Sequence, residues 1–390
     1  MKENVFNPYS FHKLKISQSK EILKDIILSS VKLAPVQIDR PIIIYGGGSL
    51  GKMAQDFFSY LKIPFLYTVD VNAPRKKLDQ NGPTANLIHP LNVKKEDKEN
   101  YLLVICIVNA PQMEIKERLT KEGWKHVEFF YDISQKYVHK YPLNNGWFLE
   151  KLTPKDKNNI KKVFSNLGDN ISKAHYTQFL AWRKNRCELA FDKAPINIPN
   201  RFFIPEVVNH LTSEETFVDC GAHYGSVSQK FAHITHNKYR QIFAIEPDIF
   251  NLKTLRNNLK GLQRLKTLDC ALGSRNGKRN FRSGFGFSSK LGKKGESVTL
   301  STLDTLSINP TFIKMHLEGG ELEALKGGVK TITKCRPIIA STIYHNSDGV
   351  WKIPLFIMQN TNQYEYHIRL HSWAGTGAVL YAIPKERIKK

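Results

Sequence analysis

Two stretches of this sequence repeat one pattern: a short apolar run, a glycine turn and the start of an amphipathic helix. The first stretch is PIIIYGGGSLGKMAQDFFSYL, from Pro41, and the second is TFVDCGAHYGSVSQKFA, from Thr216. An apolar run that enters a helix through a glycine turn is typical of strand, turn and helix in a parallel sheet. The chain is therefore expected to fold as two α/β blocks, and its length of 390 residues also favours two domains.

The first block contains the spacing Gly46-x-Gly48-x-x-Gly51, and its second strand, PFLYTVD, ends at Asp70. Glycines allow a pyrophosphate to approach the backbone, a helix N-terminus attracts it, and the acid can bind ribose hydroxyls. We expect a smaller Rossmann-like domain over residues 1–140, and leave open whether it binds a dinucleotide, another ligand or none. Its other predicted elements are helices over Ser17–Leu33 and Gln112–Glu122 and strands over Tyr101–Ala110 and His126–Ile133.

Residues 141–210 are predicted to form a helical connector. Lys155–Leu167 and Ser172–Leu189 have helical patterns, and APINIPNRFFIP places three prolines in a short extended stretch. We expect these helices to cover one face of the second domain.

The second block, residues 211–390, is predicted to contain a doubly wound sheet. Apolar strands are expected to end at Cys220, Glu246, Cys270–Ala271, His316 and Tyr344–His345. Each of the first strands is followed by a helical pattern, whereas YEYHIRLHS and AVLYAIP indicate a closing antiparallel pair.

The glycine turn of this second block has the spacing Asp-x-Gly-x-x-x-Gly, which differs from the dinucleotide pattern. A backbone-lined loop of this shape suits a ligand with an amino-acid carboxylate and a sulfonium. The acid that ends the second strand can accept hydrogen bonds from both ribose hydroxyls, and the third strand end would flank an adenine. Three strand ends in this order predict an S-adenosyl-L-methionine site, with these cofactor-binding residues: Asp219, Gly221, Ala222, Gly225, Glu246 and Cys270.

Five segments over roughly Asn200–Pro384 resemble the FkbM methyltransferases. They are FVDCGAHYGSVS, IFAIEPD, TLDCALGSRNG, STLDTLSINPTFIKMHLEGGELEALKGG and RPIIASTIYHNSDGVWKIP, in the family's order. The resemblance implies a class I, S-adenosylmethionine-dependent enzyme of a family associated with O-methylation, often of sugars. More loosely, the first block resembles domains that precede such enzymes in cell-surface glycan loci, and the N-terminal domains of sugar-modifying transferases. The expected fold class is α/β: a class I methyltransferase Rossmann-like doubly wound sheet, preceded by a second, smaller Rossmann-like α/β domain.

The segment IKMHLEGGE, Ile313–Glu321, departs from the family pattern IK-x-D-x-E-G, because His316 stands in place of the acid while Glu318 is kept. A neutral imidazole can accept a proton near pH 7, so the change suits a general base better than a ligand for a hard metal. The alternatives are histidines hydrogen-bonded to the backbone, and Glu318 and Glu321 acting as helix N-terminal carboxylates.

We predict His345, His316 and Glu318 as catalytic residues, because all three lie at or near strand ends. Several histidines and a carboxylate can also hold a divalent metal. No metal is expected, since no i,i+4 ligand pair is present. The predicted substrate-binding residues are Tyr344, Asn346, His371 and Arg282.

The chain has 58 Lys and Arg residues against 35 Asp and Glu, a formal net charge of +23. This charge favours an anionic partner, such as an acidic glycan or a phosphate-bearing substrate, and is compatible with peripheral contact with a membrane surface. The basic segment Asn276–Ser297 is predicted either to bind the acceptor or to form a solvated hairpin. No zinc-finger or RNA-recognition motif is present, so nucleic acid is not the expected partner.

The sequence predicts an O-methyltransferase that acts on a sugar hydroxyl of a cell-surface glycan or its nucleotide-linked precursor. One alternative is a nucleotide-sugar-binding module with an idle methyltransferase-like domain, and another is a nucleic-acid methyltransferase. A cytoplasmic location is expected, because the five cysteines are scattered and neither a signal peptide nor a long apolar run is found. The acceptor sugar, the methylated position and the oligomeric state do not follow from the sequence.

Overall fold

The protein is described from a computed structural model that covers residues 7–74, 87–141, 143, 145, 148–149, 151–282, 290–291 and 295–388. The chain divides into two compact units. Unit 1 comprises residues 1–150, 177–195 and 372–376, and unit 2 comprises residues 151–176, 196–371 and 377–390. Residues 141–210, the predicted connector, therefore contribute to both units.

Unit 1 is built on a parallel sheet with the strand order β4-β3-β2-β5-β6. Its central strand is buried along its whole length, as expected where helices cover both faces. A separate pair, β1 with β7, is also parallel. The elements are β1 (Phe11–Leu14), α1 (Ser19–Leu28), β2 (Ile42–Tyr45), α2 (Ser49–Tyr60), β3 (Phe65–Val69), β4 (Leu87–Ile88), α3 (Lys95–Asn100), β5 (Leu102–Ile105), α4 (Gln112–Lys121), β6 (His126–Phe129), α5 (Phe130–Ser134) and β7 (Glu188–Phe191).

One prediction in unit 1 is wrong. The apolar run at residues 126–133 was expected to be a single strand, but β6 ends at Phe129 and α5 begins at the next residue. The helical turn brings the buried Asp132 to two partners, the Arg186 guanidinium at 2.8 Å and the Tyr9 hydroxyl at 2.9 Å. A buried carboxylate needs such partners, and they override the local strand propensity.

Unit 2 contains most of the remaining elements. Two helices precede its sheet, and the residues of the second, α7, fall in both units. The elements are α6 (Pro154–Asn166), α7 (Asn170–Asn185), α8 (Pro205–Val208), β8 (Thr216–Cys220), α9 (Ser226–Ile234), β9 (Gln241–Ile245), α10 (Ile249–Asn258), β10 (Leu265–Leu268), β11 (Ala271–Leu272), β12 (Gly277–Arg282), β13 (Lys290–Leu291), β14 (Glu296–Ser301), β15 (Phe312–Met315), α11 (Glu321–Lys326), α12 (Val329–Cys335), β16 (Ile338–Thr342), α13 (Gly349–Asn360), β17 (Tyr364–Leu370), β18 (Ala378–Pro384) and α14 (Lys385–Ile388).

The main sheet of unit 2 has the order β10-β9-β8-β15-β16-β18-β17. Its first five strands are parallel, and β18 pairs antiparallel with both β16 and β17. This confirms the predicted doubly wound sheet with a closing antiparallel pair. The strand order reverses between β8 and β15, and the carboxyl edge at such a reversal is where open α/β sheets bind their ligands.

A second, four-stranded sheet of unit 2, in the order β11-β14-β12-β13, was not predicted. The third strand of the main sheet ends at Leu268, whereas Ala271–Leu272 pairs with β14. The predicted end of that strand at Cys270–Ala271 is therefore wrong, because the chain leaves the main sheet after Leu268 and pairs in the second sheet from Ala271. Among the described residues, no helix is long and apolar enough to cross a membrane.

Candidate active site

The glycine turn after β8 closes against the ends of two neighbouring strands. The amides of Gly221 and Ala222 both donate to the carbonyl oxygen of Ile245, each at 3.0 Å. Gly221 has a φ of +74°, and a Cβ there would lie only 2.1 Å from the carbonyl oxygen of His316. Only glycine fits this position, so the turn passes directly beside the backbone at the end of β15.

A buried ion pair holds the same glycine turn in place. Lys314 and Asp219 face each other in register on β15 and β8, and the ammonium donates to Asp219 Oδ1 at 2.7 Å. The ammonium also donates to the Gly221 carbonyl oxygen at 2.8 Å, and the Ser228 hydroxyl donates to Asp219 Oδ2 at 2.8 Å. Both carboxylate oxygens of Asp219 thus have partners inside the protein, and this residue positions the turn.

Lys314 was missed in the sequence analysis. Its signal is a lysine inside the apolar run FIKM, where all four residues are buried. A buried ammonium requires a nearby anion, and Asp219 occupies the corresponding third position of the apolar run FVDC.

Glu246, predicted to bind ribose hydroxyls, also bonds to the turn. Its carboxylate accepts from the His223 amide at 2.8 Å and from the Asp248 amide at 3.0 Å. Burial raises the pKa of this carboxyl, although these amides oppose the shift. Oε1 also accepts from the Asn251 side-chain amide at 3.4 Å, whereas Oε2 can accept a further hydrogen bond, so the ribose role remains a prediction. The neighbouring Cys270 is buried beside Ser301, and its place next to an adenine also remains a prediction.

The three predicted catalytic residues form one cluster after β15 and β16. Glu318 lies between the imidazoles, with Oε1 3.0 Å from His316 Nε2 and Oε2 3.3 Å from His345 Nδ1. The two rings are stacked at 5.1 Å with an interplanar angle of 25°. The side chain of His345 is 1% exposed, but those of His316 and Glu318 are 20% and 16% exposed, so the cluster is open on one side.

Glu321 holds the turn that carries Glu318. Its buried carboxylate accepts from the amides of Leu317 (2.9 Å) and Gly319 (3.1 Å) and from the Thr342 hydroxyl (2.8 Å). Glu318 itself has a φ of +49°, a left-handed conformation that a non-glycine residue adopts only when its surroundings impose it. The carboxylate of Glu321 folds back onto the turn and lies 3.8 Å from His345 Nε2.

Tyr344 and Arg201 form the edge of the cluster. The Arg201 guanidinium donates to the Tyr344 hydroxyl at 2.8 Å, and that hydroxyl lies 3.4 Å from His316 Nε2. Burial raises the pKa of Tyr344 to about 12. Burial lowers the pKa of His316 well below its ordinary value, and the positive charge of Arg201 adds to this effect. His316 is therefore neutral near pH 7.

Residues 219–368 match the family model described as the Methyltransferase FkbM domain. This part of the chain is an FkbM methyltransferase domain. The predicted resemblance is confirmed, and the FkbM domain makes the protein a methyltransferase. Comparison with curated proteins gave no match.

The FkbM domain and the rest of the chain share their fold with a solved structure. The crystal structure of Methyltransferase FkbM from Methylobacillus flagellatus KT is 17% identical, covers 94% of this chain and 98% of its own, and has a TM-score of 0.63. Two more distant matches are Precorrin-6y C5,15-methyltransferase from Geobacter metallireducens GS-15 (15% identity, 50% of this chain and 95% of its own, TM-score 0.30) and an rRNA methylase from Streptococcus thermophilus (12%, 45% and 89%, 0.31).

The predicted substrate-binding residues of the FkbM domain have different surroundings. Asn346 donates to the Gly319 carbonyl oxygen at 2.9 Å and so supports the turn of Glu318. His371 is buried, and its ring nitrogens bond to the Asn197 carbonyl oxygen (2.5 Å) and the Tyr381 hydroxyl (2.8 Å). Burial lowers the pKa of His371 to about 3. The side chain of Arg282 and residues 283–289 and 292–294 of the basic segment lie outside the described part of the chain.

Arg201 was also missed in the sequence analysis. It lies in the proline-containing stretch that was interpreted as a connector, and 143 positions separate it from its partner Tyr344. No periodicity or spacing in the sequence links the two residues, so no local signal could have found this pair.

Proposed function

We propose that this protein transfers the methyl group of S-adenosyl-L-methionine to a hydroxyl of a sugar unit, in a cell-surface glycan or its nucleotide-linked precursor. The proposal depends on one observation: the glycine turn of the FkbM domain lies directly against the backbone of His316. A cofactor on the turn would therefore have its methyl group beside the His316–Glu318–His345 cluster.

Methyl transfer to oxygen requires alignment and the loss of a proton. The O–C bond forms as the S–C bond breaks, and the thioether leaves with the bonding electron pair. The sulfonium is already activated, so the protein contributes mainly by holding the two reactants in line. A hydroxyl is a poor nucleophile until its proton leaves, and the open cluster of two imidazoles and a carboxylate supports this step.

A sugar acceptor is supported by the family resemblance and by charge. The formal net charge of +23 favours an acidic glycan or a nucleotide-linked sugar. Arg201 adds a cation at the cluster itself, where its guanidinium contacts Tyr344. We place the reaction in the cytoplasm, because all five cysteines are free thiols. The same charge supports peripheral contact with a membrane surface that carries the glycan.

The test is methyl incorporation by the purified full-length chain. Methyl-labelled cofactor would be supplied with nucleotide-linked sugars, with isolated surface polysaccharide and, separately, with total RNA. We expect label in a sugar methyl ether and none in RNA. Label in RNA would support the nucleic-acid alternative, and no transfer to any acceptor by protein that binds the cofactor would support the idle binding module. Glu318→Gln, which preserves shape, serves as the inactive control.

A further inference from the structure

We infer that His316, Glu318 and His345 form a binding site for a divalent transition-metal cation. The inference rests on the proposed function for its use, because the cation would hold the acceptor oxygen, but binding itself can be tested separately. No metal was expected from the sequence, since it has no i,i+4 ligand pair. The fold supplies the ligands from two strand ends instead.

The three residues place their donor atoms close enough together to share one cation. Two atoms that each lie about 2.0–2.2 Å from one cation, at angles of about 90–110°, are roughly 2.8–3.6 Å apart. The separations from the Glu318 oxygens are 3.0 Å to His316 Nε2 and 3.3 Å to His345 Nδ1. One donor atom from each of the three residues lies within 4.8 Å of the others. A single cation can therefore contact all three after small rotations.

The other nitrogen of His345 also lies near a carboxylate. A histidine that binds metal through one ring nitrogen usually donates its other N–H to a carboxylate. With Nδ1 directed at the cluster, Nε2 lies 3.8 Å from Glu321 Oε1, and a small rotation of the ring would bring its N–H to hydrogen-bonding distance. Glu321 is fixed by two backbone amides and the Thr342 hydroxyl, so its position does not depend on the ligand.

Two carboxylates lie beside the buried His345. Glu318 Oε2 is 3.3 Å from Nδ1, and Glu321 Oε1 is 3.8 Å from Nε2. Their negative charges would attract a cation bound beside Nδ1.

A second group of possible ligands in unit 2 provides a contrast. Asp169, Glu206 and His367 also have donor atoms within 4.8 Å of one another. There, however, the Arg369 guanidinium donates to Asp169 at 3.0 Å and also to Glu206. A protein cation already neutralises that group.

Two imidazoles and one carboxylate with an open side suit Mn²⁺, Fe²⁺, Co²⁺ or Zn²⁺ better than Mg²⁺, which prefers oxygen ligands. The exposed side of His316 and Glu318 leaves room for an oxygen ligand. A sugar hydroxyl bound there would have a lower pKa and could release its proton to water before methyl transfer.

The test is direct metal binding by the full-length chain. Mn²⁺ would be titrated by electron paramagnetic resonance and Co²⁺ by visible absorption. We expect one ion per chain, with Mg²⁺ binding more weakly. Glu318→Gln and His345→Gln should each weaken binding by at least about 100-fold, and Glu321→Gln by about 10–100-fold. His233→Gln removes an exposed imidazole and should leave binding unchanged.

No stoichiometric binding of Mn²⁺ or Co²⁺, or equal binding by Glu318→Gln, would overturn the inference. Thermal unfolding and cofactor binding of each variant would verify its fold. If His345→Gln does not fold, the partly exposed Glu318→Gln still decides the question. Full-rate glycan methylation by protein that binds no metal would refute the site and leave the proposed function. Metal binding without any glycan methylation would support the metal site and contradict the proposed function.

Discussion

The two glycine turns of this chain have the same local structure but lie beside different residues on the adjacent strands. Each follows a buried strand and opens a helix, and in each an acid from the next strand accepts a hydrogen bond from a turn amide. In unit 1, Asp70 Oδ2 accepts from Gly47 at 2.6 Å. In unit 2, Glu246 accepts from His223 at 2.8 Å.

The neighbouring strands make the difference. Next to the first turn, β2 and β5 end in apolar residues, Tyr45 and Ile105. Next to the second turn, β8 and β15 carry the buried pair Asp219–Lys314, and polar residues follow at the edge. The glycine turn thus has the same local role in both units, whereas beside the second turn the neighbouring strands also carry a buried lysine–aspartate pair.

The largest expected effect is on turnover. Replacing His316 or His345 with Gln should lower turnover by about 10²–10⁴-fold, the range typical of lost proton transfer, and loss of a metal ligand would act in the same direction. Cofactor affinity, measured by calorimetry, should change little, because the glycine turn proposed to bind the cofactor follows β8, whereas the two histidines follow β15 and β16.

Asp70→Asn in unit 1 is the matched control for turnover, and it should leave the rate unchanged with isolated surface polysaccharide as the acceptor. Full activity in both histidine variants, or an equal loss in Asp70→Asn, would remove the contrast between the two units.

The next effect concerns stability. Lys314→Met leaves the buried carboxylate of Asp219 without its cation and should lower the free energy of unfolding by about 3–5 kcal/mol. Urea denaturation measures this loss. Adding Asp219→Asn to Lys314→Met should recover part of it, because the uncompensated charge is then gone. Asp70→Asn weakens hydrogen bonds to the amides of Gly47 and Asn72, and should cost only about 1 kcal/mol per bond.

The third effect is on how stability depends on pH, which should have opposite signs for Glu188 in unit 1 and Asp169 in unit 2. In unit 1, burial raises the pKa of Glu188 to about 7, although the amides of Gln112 and Met113 donate to it. Between about pH 4.5 and 7 the unfolded chain releases this proton first, so stability falls as pH rises, by at most about 3 kcal/mol. Glu188→Gln should remove this fall, as measured by thermal unfolding at pH 5 and pH 8.

In unit 2, the ionisation of Asp169 should change stability with pH in the opposite direction. Burial alone would raise its pKa, but hydrogen bonds from His367 and Arg369 outweigh burial and hold the pKa well below its usual range. The ionised carboxylate therefore stabilises the folded protein at pH values above the ordinary pKa range of a carboxyl group, and this stabilisation is lost on acidification. Asp169→Asn should therefore destabilise the protein most near neutral pH, and a flat profile in both variants would contradict this assignment.

The smallest effect comes from the glycines themselves. Gly225 has a φ of +86°, so Gly225→Ala should cost about 1–2 kcal/mol from the left-handed backbone alone. At Gly48 in the first turn, φ is −72° and no atom lies within 4 Å of an added Cβ. Gly48→Ala should be nearly neutral in thermal unfolding. Equal losses at both positions would show that the two turns have the same steric demands.

Much of the fold could be predicted because its signals are local. The apolar runs, the glycine turns and the order of the motifs lie within short windows, and the chain follows them in both units. The errors also have local causes. The run at residues 126–133 holds a strand and a helix, and the segment from Leu265 to Leu272 contributes strands to two different sheets.

The sequence by itself determined the two α/β sheets, the FkbM resemblance and the candidate residues at the strand ends, because strand, turn and helix each depend on neighbouring residues. Only the tertiary structure decided which of these residues meet. Lys314 reaches Asp219 across 95 positions, and Glu318 lies between imidazoles from two different strand ends. Such pairs arise from strand order and register, which bring distant residues to one edge, and no local pattern encodes that distance.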